Sequence, residues 1–254
     1  MGNKFASITN PAAYLAYYQQ NGLFLGPPPK VIVLSYLQFP KTITPLPQAM
    51  PVWGGKGRQD GKGHTGWIQL SAMGAPAFAI LFESLLAWGC RHFILLGLAG
   101  SLGKHSLGTI FIPNTVQGED GTSKAYQQAL QESSSTNVLE EMAFSPNIQT
   151  LLAQACTPVS IAQGKVISTD AFFLETPTKL KNWQQQKCEA VDLECATLAT
   201  LAQAYEAQAG AALVISDRLD PTRPWRPQFR SELITQASRH LIQAALEVAK
   251  SEKI

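Results

Sequence analysis

The apolar residues of this chain fall into short runs that alternate with longer stretches in which they recur at helical spacing. A run of about four to eight apolar residues is typical of a buried strand, and a recurrence about every three to four residues is typical of a helix. The runs predict strands at residues 31–34, 67–71, 92–98, 109–113, 165–169, 189–193 and 211–216. The spacing predicts helices at residues 75–88, 147–155, 195–205 and 229–250. Strands that alternate with helices in this way predict one layered α/β/α domain.

The segments between these elements carry turn-forming residues. Proline-rich residues 26–29 and 221–227 predict loops. Residues 54–66, rich in glycine and lysine, predict a mobile surface loop, for which a lid over a cleft is one role. We interpret residues 1–254 as a single domain with a peripheral extension at residues 1–29.

Composition narrows the classes of partner. The 254 residues suit one domain, and hydrophobic residues at 45% against charged residues at 15% indicate a somewhat apolar surface, which favours a homo-oligomer. A net charge of +2 without a basic, aromatic-interleaved run predicts no nucleic-acid partner. The most apolar window, residues 75–100, contains Glu83 and Arg91 and breaks at Gly89, so no membrane partner is expected.

The four cysteines have no paired spacing. They indicate reduced, buried thiols and not a disulfide frame or a zinc site, so neither a metal ion nor another cofactor is expected. The N-terminus carries no apolar leader segment. Together these features predict a cytoplasmic location.

Two carboxylates stand where apolar runs end. Glu194 follows the run at residues 189–193, and Asp217 follows the run at residues 211–216. In an α/β protein, side chains at the carboxyl ends of buried strands face the ligand crevice. Two carboxylates with different roles are what cleavage of a glycosidic bond requires, one to hold the sugar and one to protonate the leaving group.

Around these carboxylates, a series of motifs occurs in a characteristic order. Gly-Ala-Pro at residues 74–76 opens a helix, and a glycine-rich loop follows at residues 97–103. Ser-Thr-Asp-Ala-Phe-Phe at residues 168–173 precedes Val-Asp-Leu-Glu-Cys-Ala-Thr-Leu at residues 191–198, and Ile-Ser-Asp ends the series at residues 215–217. From about residue 68 to 250 the chain thereby resembles the superfamily of hexameric-type purine nucleoside phosphorylases, uridine phosphorylases and methylthioadenosine nucleosidases. The order of these motifs along the chain carries the resemblance, because each motif alone is a weak signal.

The resemblance implies a central mixed, partly barrel-like sheet and a nucleoside pocket. It implies that Glu194, Leu193 and Asp192 bind the ribose, and that Phe172, Ser168 and Asp170 contact the base. It further implies that Asp217 is the purine-type acid, paired with Arg230. Family pockets lie at subunit boundaries, so a dimer or a trimer of dimers is expected.

The phosphate half of the pocket departs from the family pattern. The region that resembles the phosphate loop contains Leu95, Gly97, Leu98, Ala99 and Gly100, with leucines at 95 and 98 where phosphorylases carry an arginine and a serine or threonine. Apolar side chains there disfavour a dianion, because it would have to shed water without gaining donors. Lys41, Arg58 or Lys104 offers a replacement charge.

Two main functions therefore stay open, and an enzyme of different chemistry in the same cleft is the remaining alternative. The first is an enzyme that cleaves the N-glycosidic bond of a purine-type nucleoside, by phosphorolysis or by hydrolysis. The second is a non-catalytic protein that binds a nucleoside or a base and descends from the same family. The partners expected are a small nucleoside or base, with phosphate as a further candidate.

Overall fold

The computed structural model describes residues 5, 7–21, 26–38, 48–50, 55–59, 63–133, 141–157 and 159–254. Its helices are α1 (Pro11–Gln20), α2 (Ala75–Trp88), α3 (Gly121–Ser133), α4 (Pro146–Ala155), α5 (Pro177–Gln185), α6 (Cys195–Ala204) and α7 (Glu232–Lys250), with a 3-10 turn at Phe172–Leu174. Its strands are β1 (Val31–Ser35), β2 (Gln48–Met50), β3 (Gly55–Gln59), β4 (Thr65–Leu70), β5 (His92–Ser101), β6 (Ile110–Gly118), β7 (Glu141–Ala143), β8 (Ile161–Ser168), β9 (Cys188–Asp192) and β10 (Gln208–Arg218).

The strands form one mixed sheet, and half of it closes on itself. The order is β10-β6-β8-β9-β5-β1-β4-β3-β2, with β7 beside β6. An additional parallel pairing of β10 with β5 joins β5, β10, β6, β8 and β9 into a barrel. Strands β1, β4, β3 and β2 continue from β5 as an open sheet. The predicted mixed, partly barrel-like sheet is therefore confirmed, and β5 belongs to both of its parts.

Two hydrophobic cores lie on the two faces of the sheet. Successive strand residues point to opposite faces, and β5 shows this alternation: Phe93 and Leu95 pack with α2 and α6, whereas Ile94 and Leu96 pack with α4 and α7. Helices thus cover both faces, as in a three-layer α/β/α fold.

The predicted strands and helices are all present, with bounds that shift by a few residues. Helix α2 has the predicted bounds because Pro76 suits its first turn and Gly89, with φ of 120°, ends it. The loop expected at residues 54–66 is wrong in part, since β3 pairs antiparallel with β4. The missed helices α3 and α5 are polar along most of their length. Helix α1, within the predicted extension, packs against α2.

Candidate active site

Glu194 lies at the junction of β9 and α6, where it is 6% exposed. Its Oε1 accepts a 2.6 Å hydrogen bond from the backbone N–H of Gly74, which lies between β4 and α2. Gly74 has φ of 99°, a conformation that side chains disfavour, so a glycine is needed to aim this N–H at the carboxylate. The β4–α2 turn therefore fixes one oxygen of Glu194.

Tyr36 reaches the same carboxyl group from the end of β1. Its backbone N–H donates to Leu96 O at 2.9 Å, which holds the chain against β5. Its buried hydroxyl makes no hydrogen bond of ordinary geometry within the described part of the chain. Burial, followed by the charge of Glu194, raises the pKa of this hydroxyl. Tyr36 is a site residue that the sequence analysis missed.

Burial also raises the pKa of Glu194, and the charge of Asp192 raises it further. The Gly74 N–H and the Tyr36 hydroxyl oppose this shift. The pKa of Asp192 is raised by burial as well, against several hydrogen bonds that favour its charged form. Of the two carboxyl groups, Asp192 has more donors, so we assign the negative charge of the empty site to Asp192.

Protein donors occupy both oxygens of Asp192. Oδ1 accepts from the Ser168 hydroxyl at 2.5 Å, and Oδ2 accepts from the backbone N–H groups of Cys195 and Glu194 at 2.8 and 3.2 Å. The Ser168 oxygen in turn accepts from the N–H of Ala196 at 2.9 Å. This network ties β8 to the start of α6 and orients Glu194. Leu193, between the two carboxylates, is half-buried.

Asp217 is 4% exposed and lies near the end of β10, opposite Gly100 of β5. The pairing slips between Ile215 and Asp217, which marks a bulge, and bulges re-aim side chains beside functional sites. Asp217 Oδ1 accepts from the Ser216 hydroxyl at 2.8 Å, and Oδ2 accepts from Trp225 Nε1 at 2.8 Å. A Cβ on Gly100 would lie 3.2 Å from Val191 Cγ1 and 3.5 Å from Asp217 Oδ2, so the missing side chain makes room for the acid.

The pairing expected between Asp217 and Arg230 is not formed among the described residues and stays a prediction. Arg230 is exposed and makes no ion pair within the described residues. The indole of Trp225 takes its place because the exposed segment after β10 folds back over the acid. No sequence motif indicated Trp225.

A second carboxyl group faces Asp217. Burial raises the pKa of Glu175 to about 7, and the charge of Asp217 contributes, while Lys179 acts in the opposite direction. Glu175 directly follows the 3-10 turn. It is another residue that the sequence analysis missed, because nothing near it along the chain marks the approach of β10.

Aromatic rings form the outer wall of the site. Phe172 contacts Trp225 edge to face, with ring centroids 5.8 Å apart, and Trp225 contacts Phe229 at 6.0 Å. Phe172 lies in the 3-10 turn, half-buried, while Phe173 is 88% exposed. Of the two phenylalanines, Phe172 is therefore the one whose ring forms part of this wall.

The two polar residues expected beside the base have protein partners. Ser168 is fully buried in the Asp192 network. Asp170 is exposed, and its Oδ2 accepts a 2.8 Å hydrogen bond from the N–H of Gly121, where α3 begins. A carboxylate stabilises a helix N-terminus. In the empty site Ser168 braces α6 and Asp170 caps α3, and their contact with the base stays a prediction.

Leu95 and Leu98 do not lie together. Leu95 is 1% exposed and packs in the core beneath α2 and α6, whereas the half-buried Leu98 packs on the opposite face with α4 and α7. Residues three apart on a strand point to opposite faces, so the two leucines do not line one surface of the region that resembles the phosphate loop. Gly97 approaches Tyr36 and Leu213, and Ala99 is buried in the same core as Leu95.

Of the three candidate replacement charges, Lys104 and Arg58 lie in the described part of the chain. Lys104 pairs with Glu189 at 2.9 Å, at some distance along β9 from Asp192. Arg58 is exposed on β3, and Lys41 lies outside the described residues. In the described part of the chain, no group of three or more histidine, cysteine or acidic residues is arranged to hold a metal ion. No helix there is long and apolar enough to span a membrane.

Residues 55–250 match the sequence model of the Phosphorylase superfamily, and they make up most of the chain. The protein therefore belongs to this superfamily, and the resemblance found in the sequence is confirmed.

Individual relatives are distant. The chain is 26% identical to a guanosine phosphorylase of Halorubrum lacusprofundi over 154 residues, which cover 59% of each protein. It is 24% identical to a DeoD-type purine nucleoside phosphorylase of Exiguobacterium over 184 residues, 71% of this chain and 75% of the relative. The crystal structure of AMP nucleosidase from Bacteroides thetaiotaomicron superposes with a TM-score of 0.69 at 21% identity, covering 95% of this chain and 99% of that one. That likeness concerns the fold.

Proposed function

We propose that this protein cleaves the N-glycosidic bond of a purine nucleoside or nucleotide. The observation that carries the proposal is a pair of buried carboxyl groups, Glu194 and Asp217, at the carboxyl ends of β9 and β10. Relatives named as purine nucleoside phosphorylases and an AMP nucleosidase of the same fold support it.

Glu194 is assigned to the ribose hydroxyls. Gly74 fixes Oε1, which leaves Oε2 and the second lone pair of Oε1 as acceptors beside the buried Tyr36 hydroxyl. A carboxylate accepts from two vicinal hydroxyls with charge assistance. These hydroxyl donors favour the charged form, so binding should lower the raised pKa of Glu194 and release a proton. Nucleoside affinity should therefore rise with pH until Glu194 is ionised in the empty protein.

Asp217 is assigned as the acid that protonates the departing base. A developing charge on a base nitrogen is stabilised when a carboxyl proton lies within hydrogen-bond distance. In the empty site, Trp225 Nε1 occupies Oδ2, so the indole must move before a base can take its place. Phe172 then supplies a ring face on which the base can stack.

The other assignments follow from the contacts. Asp192 and Ser168 position Glu194 through their hydrogen bonds at the start of α6, and Glu194 itself is assigned to bind the sugar hydroxyls. Arg230, in the exposed segment beside Trp225, is assigned to pairing with Asp217 once the indole has left. We assign water or phosphate as the nucleophile, and the apolar surroundings of residues 95–100 favour water.

A homo-oligomer is part of this proposal. Phe173, Leu174, Phe229 and Leu233 are exposed apolar side chains on the segments around the site. We expect a dimer or a trimer of dimers, measured by light scattering at micromolar concentration. A stable monomer would contradict this expectation.

A second candidate is a protein that binds a nucleoside or base without cleaving it. The buried Leu95 and the closed Trp225–Asp217 contact favour it. Base release from adenosine, guanosine, inosine and AMP separates the two candidates, because a binder would gain thermal stability from a nucleoside without releasing a base.

The role of Asp217 is tested by Asp217→Asn. Loss of a positioned general acid lowers a rate by about 10²–10⁴-fold, so base release should fall in this range while nucleoside binding persists. Asp220→Asn is the matched control, because Asp220 lies in the same segment and bonds to Thr222. Equal rates for the two variants would remove Asp217 from the mechanism.

A further inference from the structure

A second cleft lies between α1, α2, α3 and the end of α6. It encloses about 330 Å³. We call it the N-terminal cleft and define it by Phe5, Tyr14, Glu83, Tyr126 and Tyr205. It shares no lining residue with the glycosidic site, so what it binds does not depend on the proposed function.

Glu83 is the only charged side chain among the described residues that line the N-terminal cleft. Each of its carboxylate oxygens accepts a 2.6 Å hydrogen bond from a phenol, Oε2 from Tyr126 and Oε1 from Tyr205. Neutral donors leave the negative charge in place. Within the described part of the chain, no lysine, arginine or histidine pairs with it. Among the described residues, the N-terminal cleft therefore holds one negative charge without an ion-pair partner.

Aromatic rings surround this charge. Phe5 meets Tyr126 at 5.5 Å and Tyr205 at 5.8 Å between ring centroids, both edge to face. Tyr14 adds a ring from α1. Ring faces are electronegative and attract cations. A phenol that donates to a carboxylate gains electron density, which strengthens this attraction. Burial and the bond to Glu83 raise the pKa of Tyr126 and Tyr205, so both stay protonated donors.

We propose that the N-terminal cleft binds a small organic ammonium ion. Its positive charge would neutralise Glu83, and its alkyl groups would lie against the ring faces of Phe5, Tyr126 and Tyr205. A hard metal ion fits poorly, because it needs several oxygen ligands and both Glu83 oxygens already hold phenol protons. An anion is repelled by Glu83, and a neutral ligand leaves its charge unpaired.

The test compares choline with 3,3-dimethylbutan-1-ol, which has the same shape without the charge. Isothermal titration and thermal unfolding are measured at constant ionic strength. Choline should bind saturably, raise Tm, and bind at least tenfold more tightly than the alcohol. Equal affinity for the two compounds, or no saturable binding of choline, would overturn the proposal.

Glu83→Gln locates the charge. Glutamine keeps an acceptor for the phenols and the size of the side chain, so choline affinity should fall at least tenfold while alcohol affinity stays. The matched control is Glu132→Gln, on the exposed face of α3, where Glu132 bonds to Gln128. Unchanged choline affinity in Glu83→Gln would contradict the assignment. If this variant fails to fold, the choline and alcohol comparison on the unaltered protein decides.

Discussion

The two halves of the glycosidic cleft are built differently. Around Glu194, polar groups from β1, the β4–α2 turn, β8 and β9 converge, and nearly every buried donor and acceptor there has a partner. Around residues 95–98 the side chains are apolar and pack into the two cores. A buried polar network is costly unless it is satisfied, and a satisfied network makes its surroundings rigid, which supports the proposed role of this half in holding the sugar.

Under the proposed function, this contrast separates two tasks of the pocket. Holding the sugar requires a carboxylate fixed by several elements, and that framework is intact. Binding a phosphate dianion requires positive charge and donors, and the described strand at that position offers leucine.

Removing Glu194 should have the largest effect. A hydrogen bond to a charged group contributes about 1.5–3 kcal/mol, so loss of two sugar contacts in Glu194→Ala should lower kcat/KM by about 10²–10⁴-fold. Glu189→Ala, on the same strand but paired with Lys104 and His105, is the control. If Glu194→Ala strongly reduces the free energy of unfolding and leaves nucleoside affinity unchanged, the ribose assignment is wrong.

Introducing charge at the leucines tests the other half. Leu95→Arg places an unpaired guanidinium in the core beneath α2, which should reduce the free energy of unfolding by about 3–5 kcal/mol. Leu98→Ser removes a half-buried side chain and should cost about 1 kcal/mol. Urea unfolding measures both. Should Leu95→Arg remain stable and gain phosphate affinity, Leu95 faces the cleft after all.

Trp225→Phe should sharpen the role of the acid. The ring remains for contact with Phe172, but the N–H that occupies Asp217 is lost. Because a half-exposed hydrogen bond of this kind holds about 1 kcal/mol, KM should fall about three- to tenfold. Trp88→Phe, whose indole bonds to Gly26 O instead, is the control. A KM that rises would show that the indole N–H contacts the substrate.

The smallest effect concerns Glu175. Its pKa is about 7 in the folded protein against an ordinary value of 4.5, so the folded state binds more protons between these two values. Stability should therefore fall as pH rises from about 4.5 to 7. Glu175→Gln removes this dependence and should gain no more than about 1 kcal/mol at pH 8, since solvent screens a partly exposed group. If the free energy of unfolding of Glu175→Gln changes with pH between 4.5 and about 7 as it does in the unaltered protein, Glu175 is not the group with the raised pKa.

Much of the fold was predictable because buried strands and amphipathic helices leave periodic patterns. Helix α2 was predicted to the residue, and Glu194 and Asp217 were found as carboxylates that follow apolar runs. Strand β3 was missed because its glycine- and lysine-rich sequence becomes a strand only by pairing with β4. Propensity is a weak guide where tertiary pairing decides.

The rest of the site depends on contacts between distant segments. The pairing of β1 with β5 places Tyr36, whereas Glu175 and Trp225 approach Asp217 of β10. Ser168 and Asp170 were predicted to contact the base because a sequence motif does not show which protein groups its residues bond to. In the structure Ser168 bonds to Asp192, and Asp170 bonds to the backbone at the start of α3.

Base release by the unaltered protein is measured with and without millimolar phosphate, followed by mass analysis of the sugar product. This experiment tests most directly whether the cleft binds the sugar but not phosphate. If the sugar half is used and the phosphate half is not, a purine base should be released at a rate that phosphate does not increase, together with free ribose or ribose 5-phosphate. Saturable dependence on phosphate with a ribose 1-phosphate product would contradict the contrast between the halves. If no base is released from any nucleoside or nucleotide, the proposed cleavage of the N-glycosidic bond is wrong.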